Sequence, residues 1–170
     1  MNYHNITTDD MLNGDGLRTV LWVAGCGHAC PGCQNPVTWD ACGGLPFDEA
    51  AKAELFEKLG KPHISGITFS GGDPMFQPEG FTQLAHAIKE RSRKNIWCYT
   101  GYTFEKLLRN PRQAQLLKYI DVLVDGKFKK ELRDEELYFR GSRNQRLIDV
   151  QTSLQKDETV IYHYNPKKGI

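Results

Sequence analysis

Long apolar runs, a strong net charge and low-complexity tracts are all missing from this sequence. No apolar stretch approaches the roughly 18 residues that a membrane span needs. The opening MNYHNITTDDM lacks the basic start and apolar core of a signal peptide. The 22 basic and 21 acidic residues give a formal charge of +1, so no global field favours nucleic acid or an anionic membrane. We therefore expect a cytoplasmic protein that binds neither.

Linkers and internal repeats are missing as well. No segment is rich in proline, glycine and serine, and no sequence period recurs. A chain of 170 residues is long enough for one domain with a sizeable core and too short for two full domains. The sequence predicts a single domain over residues 1–170, in which residues 151–170 form a C-terminal extension with a weaker pattern.

Strand-like and helix-like segments alternate along the chain. The predicted strands are residues 17–25, 64–70, 95–100 and 120–126. The predicted helices are residues 47–60, 78–94, 103–110 and 111–119. Asp48 stands near the start of the first helix, and Gly60 is suited to end it. This alternation predicts an α/β fold with a mainly parallel sheet, either open and doubly wound or part of a barrel.

The pattern weakens after Gly126. The charged stretch KFKKELRDEEL is compatible with a loop or a helix. QRLIDV and TVIYHY are each compatible with a strand. The last third of the chain is therefore the part whose structure the sequence predicts least clearly.

A distinctive loop follows each predicted strand. These loops are residues 26–33, here called the cysteine loop, and residues 70–74, 100–102 and 125–128. Ligands gather at the carboxyl ends of strands in parallel sheets and barrels. We therefore expect all of these loops to line one rim.

Cys26, Cys30 and Cys33 form a C-x3-C-x2-C array, and their spacing leaves more than one use open. A structural zinc ion would need a fourth ligand, for which His28 or Cys42 is available. A disulfide with a spare thiol fits a reducing compartment poorly. Clustered thiolates are also the standard ligands of iron-sulfur clusters, and three of them leave one iron of a cubane open to a substrate.

The loops after the first two strands resemble those of radical S-adenosylmethionine enzymes, in which C-x3-C-x2-C is followed by GGDP. Six stretches in order resemble more closely the activating proteins of anaerobic, class III ribonucleotide reductases. They are NGDGLRT, CPGCQN, SGGDP, YTGYTFEKL, VDGKF and RGSRNQ. The resemblance runs from the N-terminus to about Val150. It favours the iron-sulfur interpretation and implies a partial (β/α) barrel of the radical S-adenosylmethionine type.

The resemblance also implies a mechanism. Cys26, Cys30 and Cys33 would hold a [4Fe-4S] cluster whose fourth iron binds the methionine end of S-adenosylmethionine. An electron from the reduced cluster would break a carbon-sulfur bond, giving methionine and a 5'-deoxyadenosyl radical. That radical would take a hydrogen atom from one glycine of the large catalytic subunit of the reductase. The chain would then be a glycyl-radical-activating oxidoreductase, with a reduced flavodoxin-type protein as the electron donor.

Seven residues are predicted to contact S-adenosylmethionine: Gly32, Gln34, Gly71, Gly72, Asp73, Asp125 and Lys127. The glycine pair after the second strand would let the backbone approach the ligand and leave amide and carbonyl groups free to bond it. Gly32 and Gln34 flank the third cysteine. Asp125 and Lys127 match the motif VDGKF, although a turn that ends a strand explains Asp-Gly equally well.

Two rival functions remain at this point. One is the activation of another glycyl-radical enzyme, such as pyruvate formate-lyase. The other is a zinc-stabilised binding module without catalysis. Residues 140–146, with their three arginines, stand near the predicted rim and are interpreted as a solvated loop, with docking of the reductase or binding of a ligand as the alternatives. Residues 13–16 are interpreted as a turn rather than a binding loop, His28 as a neighbour of the cysteines, and Cys98 as a buried apolar side chain.

Overall fold

One sheet of seven strands organises the computed structural model, which describes residues 1–166. The strands are β1 (Asn2–Asp10), β2 (Arg18–Val23), β3 (Leu45–Pro46), β4 (Gly66–Gly71), β5 (Asn95–Tyr99), β6 (Val122–Asp125) and β7 (Arg146–Asp149). Their order across the sheet is β3-β1-β2-β4-β5-β6-β7. Residues 167–170, the end of the predicted C-terminal extension, lie outside the described residues.

The centre of the sheet is parallel and its outer strands are antiparallel. β2, β4, β5 and β6 are parallel, as the alternation of strands and helices predicted. β1 pairs antiparallel with β2, β3 with β1, and β7 with β6. Among residues 1–166 no pairing joins β3 to β7, so the sheet is open and is not a closed barrel. Val23 lies opposite Gly71, which places the carboxyl ends of β2 and β4 at the same edge.

The sequence pattern did not predict β1. Its residues are mostly polar, and Ile6 is its one buried side chain. Pairing with β2, from Tyr3 opposite Val23 to Asp10 opposite Arg18, fixes its place. An outer strand with so little buried surface lacks the apolar alternation by which strands are recognised in a sequence.

Five α-helices lie among the described residues: α1 (Glu49–Leu59), α2 (Pro78–Arg91), α3 (Phe104–Arg109), α4 (Pro111–Leu117) and α5 (Val150–Lys156). The Asp48 side chain accepts a hydrogen bond from the Ala51 N–H at 2.9 Å and starts α1, and Gly60 ends it, both as predicted. The pattern did not predict α5, which begins where the Asp149 side chain accepts a hydrogen bond from the Thr152 N–H.

The two faces of the sheet are covered differently. One face packs against all five helices in the main core, where Phe69 of β4 contacts Phe81 of α2. Each large apolar side chain buried in this way contributes roughly 1.5–3 kcal/mol to folding. The opposite face carries a smaller apolar cluster around Trp97, which packs against Phe139 and Tyr162. Because neither of these partners lies in a helix, loops and the C-terminal segment cover the second face.

After β6, some of the predicted elements are present in the structure and others are not. QRLIDV contains β7, whereas TVIYHY forms no strand among residues 1–166 and makes one isolated bridge, between Ile161 and Ile148. KFKKELRDEEL contains a short 3-10 turn, Lys130–Leu132. No helix in the described part of the chain is long and apolar enough to cross a membrane.

Candidate active site

A cavity of about 1120 Å³ opens at the carboxyl ends of the central strands. Each of the loops that follow β2, β4, β5 and β6 contributes to its wall, as predicted from the order of the strands. Seven of the predicted site residues line it: Cys26, Cys30, Cys33, Gln34, Gly71, Gly72 and Asp73. Gly32, Asp125 and Lys127 do not line it.

The cysteine loop places three free, partly buried thiols on this cavity. Its entry is fixed by the Cys26 N–H, which donates to the Trp39 carbonyl at 3.1 Å. Its exit is a tight turn in which the Cys33 N–H donates to the Cys30 carbonyl at 3.1 Å. Gly32 has a φ of +75°, in the left-handed region that favours glycine. The turn therefore favours glycine next to the third cysteine.

Backbone N–H groups already point at the sulfur atoms of this loop. The Asn35 N–H donates to Cys33 Sγ at 3.4 Å, and the His28 N–H donates to the Cys26 thiol. Burial raises the pKa of Cys26, and the His28 N–H opposes that effect. Donors of this kind stabilise a thiolate, which is the form that binds metal. The loop thus has the chemistry of a metal-binding loop.

The thiols are not arranged around a single ion. In residues 1–166, no three His, Cys, Asp or Glu side chains are gathered closely enough to hold one metal ion. Zinc requires all of its ligands at roughly 2.0–2.3 Å from one centre. In an iron-sulfur cubane each thiolate binds a different iron, so the sulfur atoms stand apart. Three thiols on one cavity wall are the ligand set of an iron-sulfur cubane that keeps one iron open.

The two candidates for a fourth zinc ligand are placed elsewhere. His28 Nε2 lies 2.6 Å from Asp73 Oδ2 and is engaged there. Cys42 is exposed and does not line the cavity. Cys98 is buried in the main core, as its apolar surroundings in the sequence predicted. The cavity therefore presents three thiols and no fourth.

The glycine pair after β4 packs against the protein's own backbone. The N–H groups of Gly72 and Asp73 donate to the carbonyls of Val23 and Gly25, each at 2.8 Å. A Cβ added at Gly72 would lie 2.4 Å from the Gly25 carbonyl oxygen. We expected these amides to be free for a ligand, but they join the ends of β2 and β4. Close backbone packing explains the glycines.

The Asp73 side chain is 2% exposed and forms hydrogen bonds with several parts of the rim. Its Oδ2 lies 2.6 Å from His28 Nε2 and 3.0 Å from both Thr100 Oγ1 and the Gly101 N–H. Its Oδ1 accepts the Met75 N–H at 2.8 Å. The carboxylate therefore joins the cysteine loop, the end of β5 and its own turn.

Asp125 also has protein partners. It is almost completely buried, and its carboxylate accepts hydrogen bonds from Arg146 Nε at 3.0 Å and from the Phe104 N–H at 2.8 Å. Arg146 reaches Glu105 as well, and this pair lowers the pKa of Glu105 to about 2. Asp125 thus joins β6, β7 and the start of α3 beneath the rim. Lys127 is exposed beside it.

One wall of the cavity was predicted only in part, since ligand binding by residues 13–16 and 140–146 was the less favoured alternative for both segments. Residues 135–141, Gln145 and Tyr164 line it, as do residues 11–17 before β2. Gln145 orders its segment, because Oε1 accepts the Gly141 N–H at 2.9 Å and Nε2 donates to the Gly126 carbonyl at 2.9 Å. The signal in the sequence was the resemblance of the six stretches to the family, since RGSRNQ and NGDGLRT are both among them.

Fold and site together define an α/β protein with a cysteine loop suited to an iron-sulfur cluster at the carboxyl ends of its parallel strands. The family model of the 4Fe-4S single cluster domain matches residues 12–148. The chain belongs to the family of anaerobic ribonucleoside-triphosphate reductase-activating proteins.

Three relatives illustrate the similarity, each named anaerobic ribonucleoside-triphosphate reductase-activating protein. The protein of Pasteurella multocida is 43% identical over 151 residues, which cover 85% of this chain and 95% of the relative. The protein of enterobacteria phage T4 is 44% identical over 150 residues, covering 86% of this chain and 93% of the relative. The protein of Escherichia coli K12 is 41% identical over 151 residues, covering 85% and 96%.

Proposed function

We propose that this chain is a radical S-adenosylmethionine activase that generates the glycyl radical on the large catalytic subunit of an anaerobic ribonucleotide reductase. The observation that carries the proposal is the set of Cys26, Cys30 and Cys33 on one large cavity, in a chain of this family. When bound, a reduced [4Fe-4S] cluster would supply the electron that splits S-adenosylmethionine into methionine and a 5'-deoxyadenosyl radical. The radical would take one hydrogen atom from the target glycine, giving 5'-deoxyadenosine.

The chain's own residues would hold and orient the reactants. Cys26, Cys30 and Cys33 would bind three irons of the cluster and leave one open to the methionine end of the ligand. Gln34, Gly71, Gly72 and Asp73 line the cavity and would form the wall around that end. Gly32, Asp125 and Lys127, which do not line it, stay predictions as ligand contacts. No general acid or base is required, since the transferred species is a hydrogen atom.

The size and rim of the cavity support a protein substrate. A volume of about 1120 Å³ is slightly above the roughly 300–1,000 Å³ typical of pockets for small ligands. Three exposed apolar side chains stand at its lining, with exposures of 69% for Met11, 81% for Leu12 and 54% for Tyr138. We propose that they contact the glycine-bearing segment of the reductase as it enters.

We also propose that a reduced, flavodoxin-type protein donates the electron. Lys127, Lys129 and Lys130 are exposed, and within residues 1–166 no carboxylate lies within 4.0 Å of their Nζ atoms. The stem of Lys130 packs beside Gly32 of the cysteine loop, since a Cβ at Gly32 would lie 3.3 Å from Lys130 Cδ. Unpaired positive charge next to the cluster loop would favour a donor with an acidic face.

The organisation of the chain and its location in the cell also follow from this function. We propose that residues 1–170 act as one radical S-adenosylmethionine domain whose open sheet is a partial (β/α) barrel. Residues 151–170 would be its extension. The protein would work in the cytoplasm, where reducing conditions keep the thiols free.

The test is electron paramagnetic resonance on anaerobically reconstituted, reduced protein, with and without S-adenosylmethionine. We expect a [4Fe-4S] signal that changes when the ligand is added. Cys30→Ala should abolish 5'-deoxyadenosine formation, whereas Cys42→Ala should leave it unchanged, because Cys42 lies off the cavity. Equal 5'-deoxyadenosine output from the two variants would contradict the assignment of the ligands.

The acceptor is tested separately. The reduced enzyme is offered the large reductase subunit or pyruvate formate-lyase, and the glycyl radical is measured on each. The names of the relatives favour the reductase. Radical formation on the lyase alone would show that the lyase, and not the reductase, is the substrate. One tightly held zinc ion and no acid-labile sulfide would instead favour the binding module.

A further inference from the structure

His28 ties the cysteine loop to the rest of the rim. Its side chain is 9% exposed, and its Nε2 lies 2.6 Å from Asp73 Oδ2. Among the described residues, this is the one hydrogen bond from residues 27–32 to any residue outside the cysteine loop. The edge of the imidazole meets the Tyr102 ring, with 4.6 Å between the centroids. The middle of the loop therefore depends on one side chain for its polar connection to the sheet.

Gly101 makes room for that side chain. A Cβ at Gly101 would lie 2.4 Å from His28 Cδ2 and 2.6 Å from Nε2. The same Gly101 donates its N–H to Asp73 Oδ2 at 3.0 Å. The imidazole thus occupies a fitted position between the end of β5 and the turn after β4.

The Asp73 carboxylate, beside which the His28 ring lies, has several other partners in the protein. An ionised carboxylate has about four lone-pair sites for hydrogen bonds. Asp73 has four hydrogen-bonding partners, which are the His28 ring, the Thr100 hydroxyl and the N–H groups of Met75 and Gly101. None of these partners is a ligand. Three of them contact Oδ2 and one contacts Oδ1, so the described hydrogen bonds of this carboxylate are all made to the protein.

We infer that His28 and Asp73 are a positioning pair that sets the cysteine loop, and with it the open iron, against the wall that binds S-adenosylmethionine. The inference rests on the proposed function. In this pair the Asp73 side chain contacts other parts of the protein. Asp73 contributes to the ligand site as part of the cavity wall. Since the loop's thiols do not depend on this hydrogen bond, loss of His28 should misplace the cluster without removing its ligands.

The experiment compares His28→Ala and His28→Gln with the wild type. The glutamine amide can donate a hydrogen bond from about the position of Nε2, whereas alanine cannot. His63→Ala is the matched control, because His63 Nε2 also lies 2.6 Å from an aspartate oxygen, that of Asp9, but both side chains are about half exposed. All proteins are reconstituted anaerobically, reduced and titrated with S-adenosylmethionine, and the change in the paramagnetic resonance signal is followed.

We expect His28→Ala to need about tenfold more S-adenosylmethionine for half of the spectral change, the loss typical of a hydrogen bond to a charged group. His28→Gln should regain most of the response, and His63→Ala should equal the wild type. A His28→Ala titration that coincides with the wild type overturns the inference. Loss of the cluster in both His28 variants also overturns it, because the imidazole itself, and not its bond to Asp73, would then be required.

Hydrogen exchange on the metal-free proteins separates this inference from the proposed function. In His28→Ala, the N–H groups of Cys33 and Gly101 should exchange about tenfold faster than in the wild type, while those in His63→Ala should not change. Unchanged exchange in His28→Ala overturns the inference whatever the cluster does. A wild-type protein without any cluster signal refutes the proposed function alone.

Discussion

Replacing Arg146 by methionine should destabilise the protein by leaving a buried carboxylate without its cation. Arg146 donates from Nε to Asp125 Oδ1 at 3.0 Å, and its terminal nitrogen lies 2.5 Å from Oδ2. The Asp125 side chain is 2% exposed, so its carboxylate depends on partners within the protein. Methionine keeps the apolar stem of the side chain, and the effect measured is therefore mainly that of the charge.

The size of the expected loss in the free energy of unfolding depends on how exposed each partner is. Breaking a buried ion pair on one side costs roughly 3–5 kcal/mol. Asp125 keeps the Phe104 N–H, and the Arg146 side chain is 33% exposed, so we expect a loss near the lower end, about 3 kcal/mol. Glu105, the other partner of Arg146, is 47% exposed, and its pair should contribute less than about 1 kcal/mol.

The outer pair also gives a pH dependence with a definite sign. Arg146 lowers the pKa of Glu105 to about 2. An unfolded glutamate titrates near a pKa of about 4.3, so the contribution is present above that pH. It is lost as the pH falls toward about 2. Glu105→Gln should remove this small acid-dependent part of the stability.

Urea unfolding of the metal-free proteins, followed by circular dichroism, measures these losses. Adding Asp125→Asn to Arg146→Met should recover stability, because the buried charge disappears while an oxygen remains to accept the Phe104 N–H. The reasoning is refuted if Arg146→Met costs no more than Glu105→Gln. It is also refuted if Asp125→Asn adds to the loss.

Two further perturbations address the rim and the donor. Gly72→Ala should lower the free energy of unfolding by about 1–3 kcal/mol, because its methyl group would lie 2.4 Å from a backbone carbonyl oxygen. In the same urea assay, Gly80→Ala should be neutral or stabilising, because its methyl group would contact only the flexible Met1 side chain. Equal losses of stability in the two variants would contradict this reasoning. Changing Lys127, Lys129 and Lys130 to glutamate should slow cluster reduction by a reduced flavodoxin at low salt but not by dithionite. Unchanged reduction by flavodoxin would exclude this docking site.

Local sequence signals were enough to predict the features that depend on residues close together in the chain. The apolar runs of the central strands, the Asp48 cap and the Gly60 end of α1 are local signals, and the structure confirmed each. The spacing of the three cysteines is local too, and it placed them in one loop. The resemblance that rests on these motifs pointed to the family to which the chain belongs.

The tertiary structure alone decided which side chains meet across the rim. His28 and Asp73 are 45 residues apart, and Asp125 and Arg146 are 21 apart, so no local pattern pairs them. The sequence predicted two of these residues as ligand contacts, whereas folding gives both carboxylates protein partners. β1 is a similar case, since its polar residues become a strand only through pairing with β2. Contacts between distant segments form only when the whole sheet is assembled, so residue types and their spacing along the chain do not predict them.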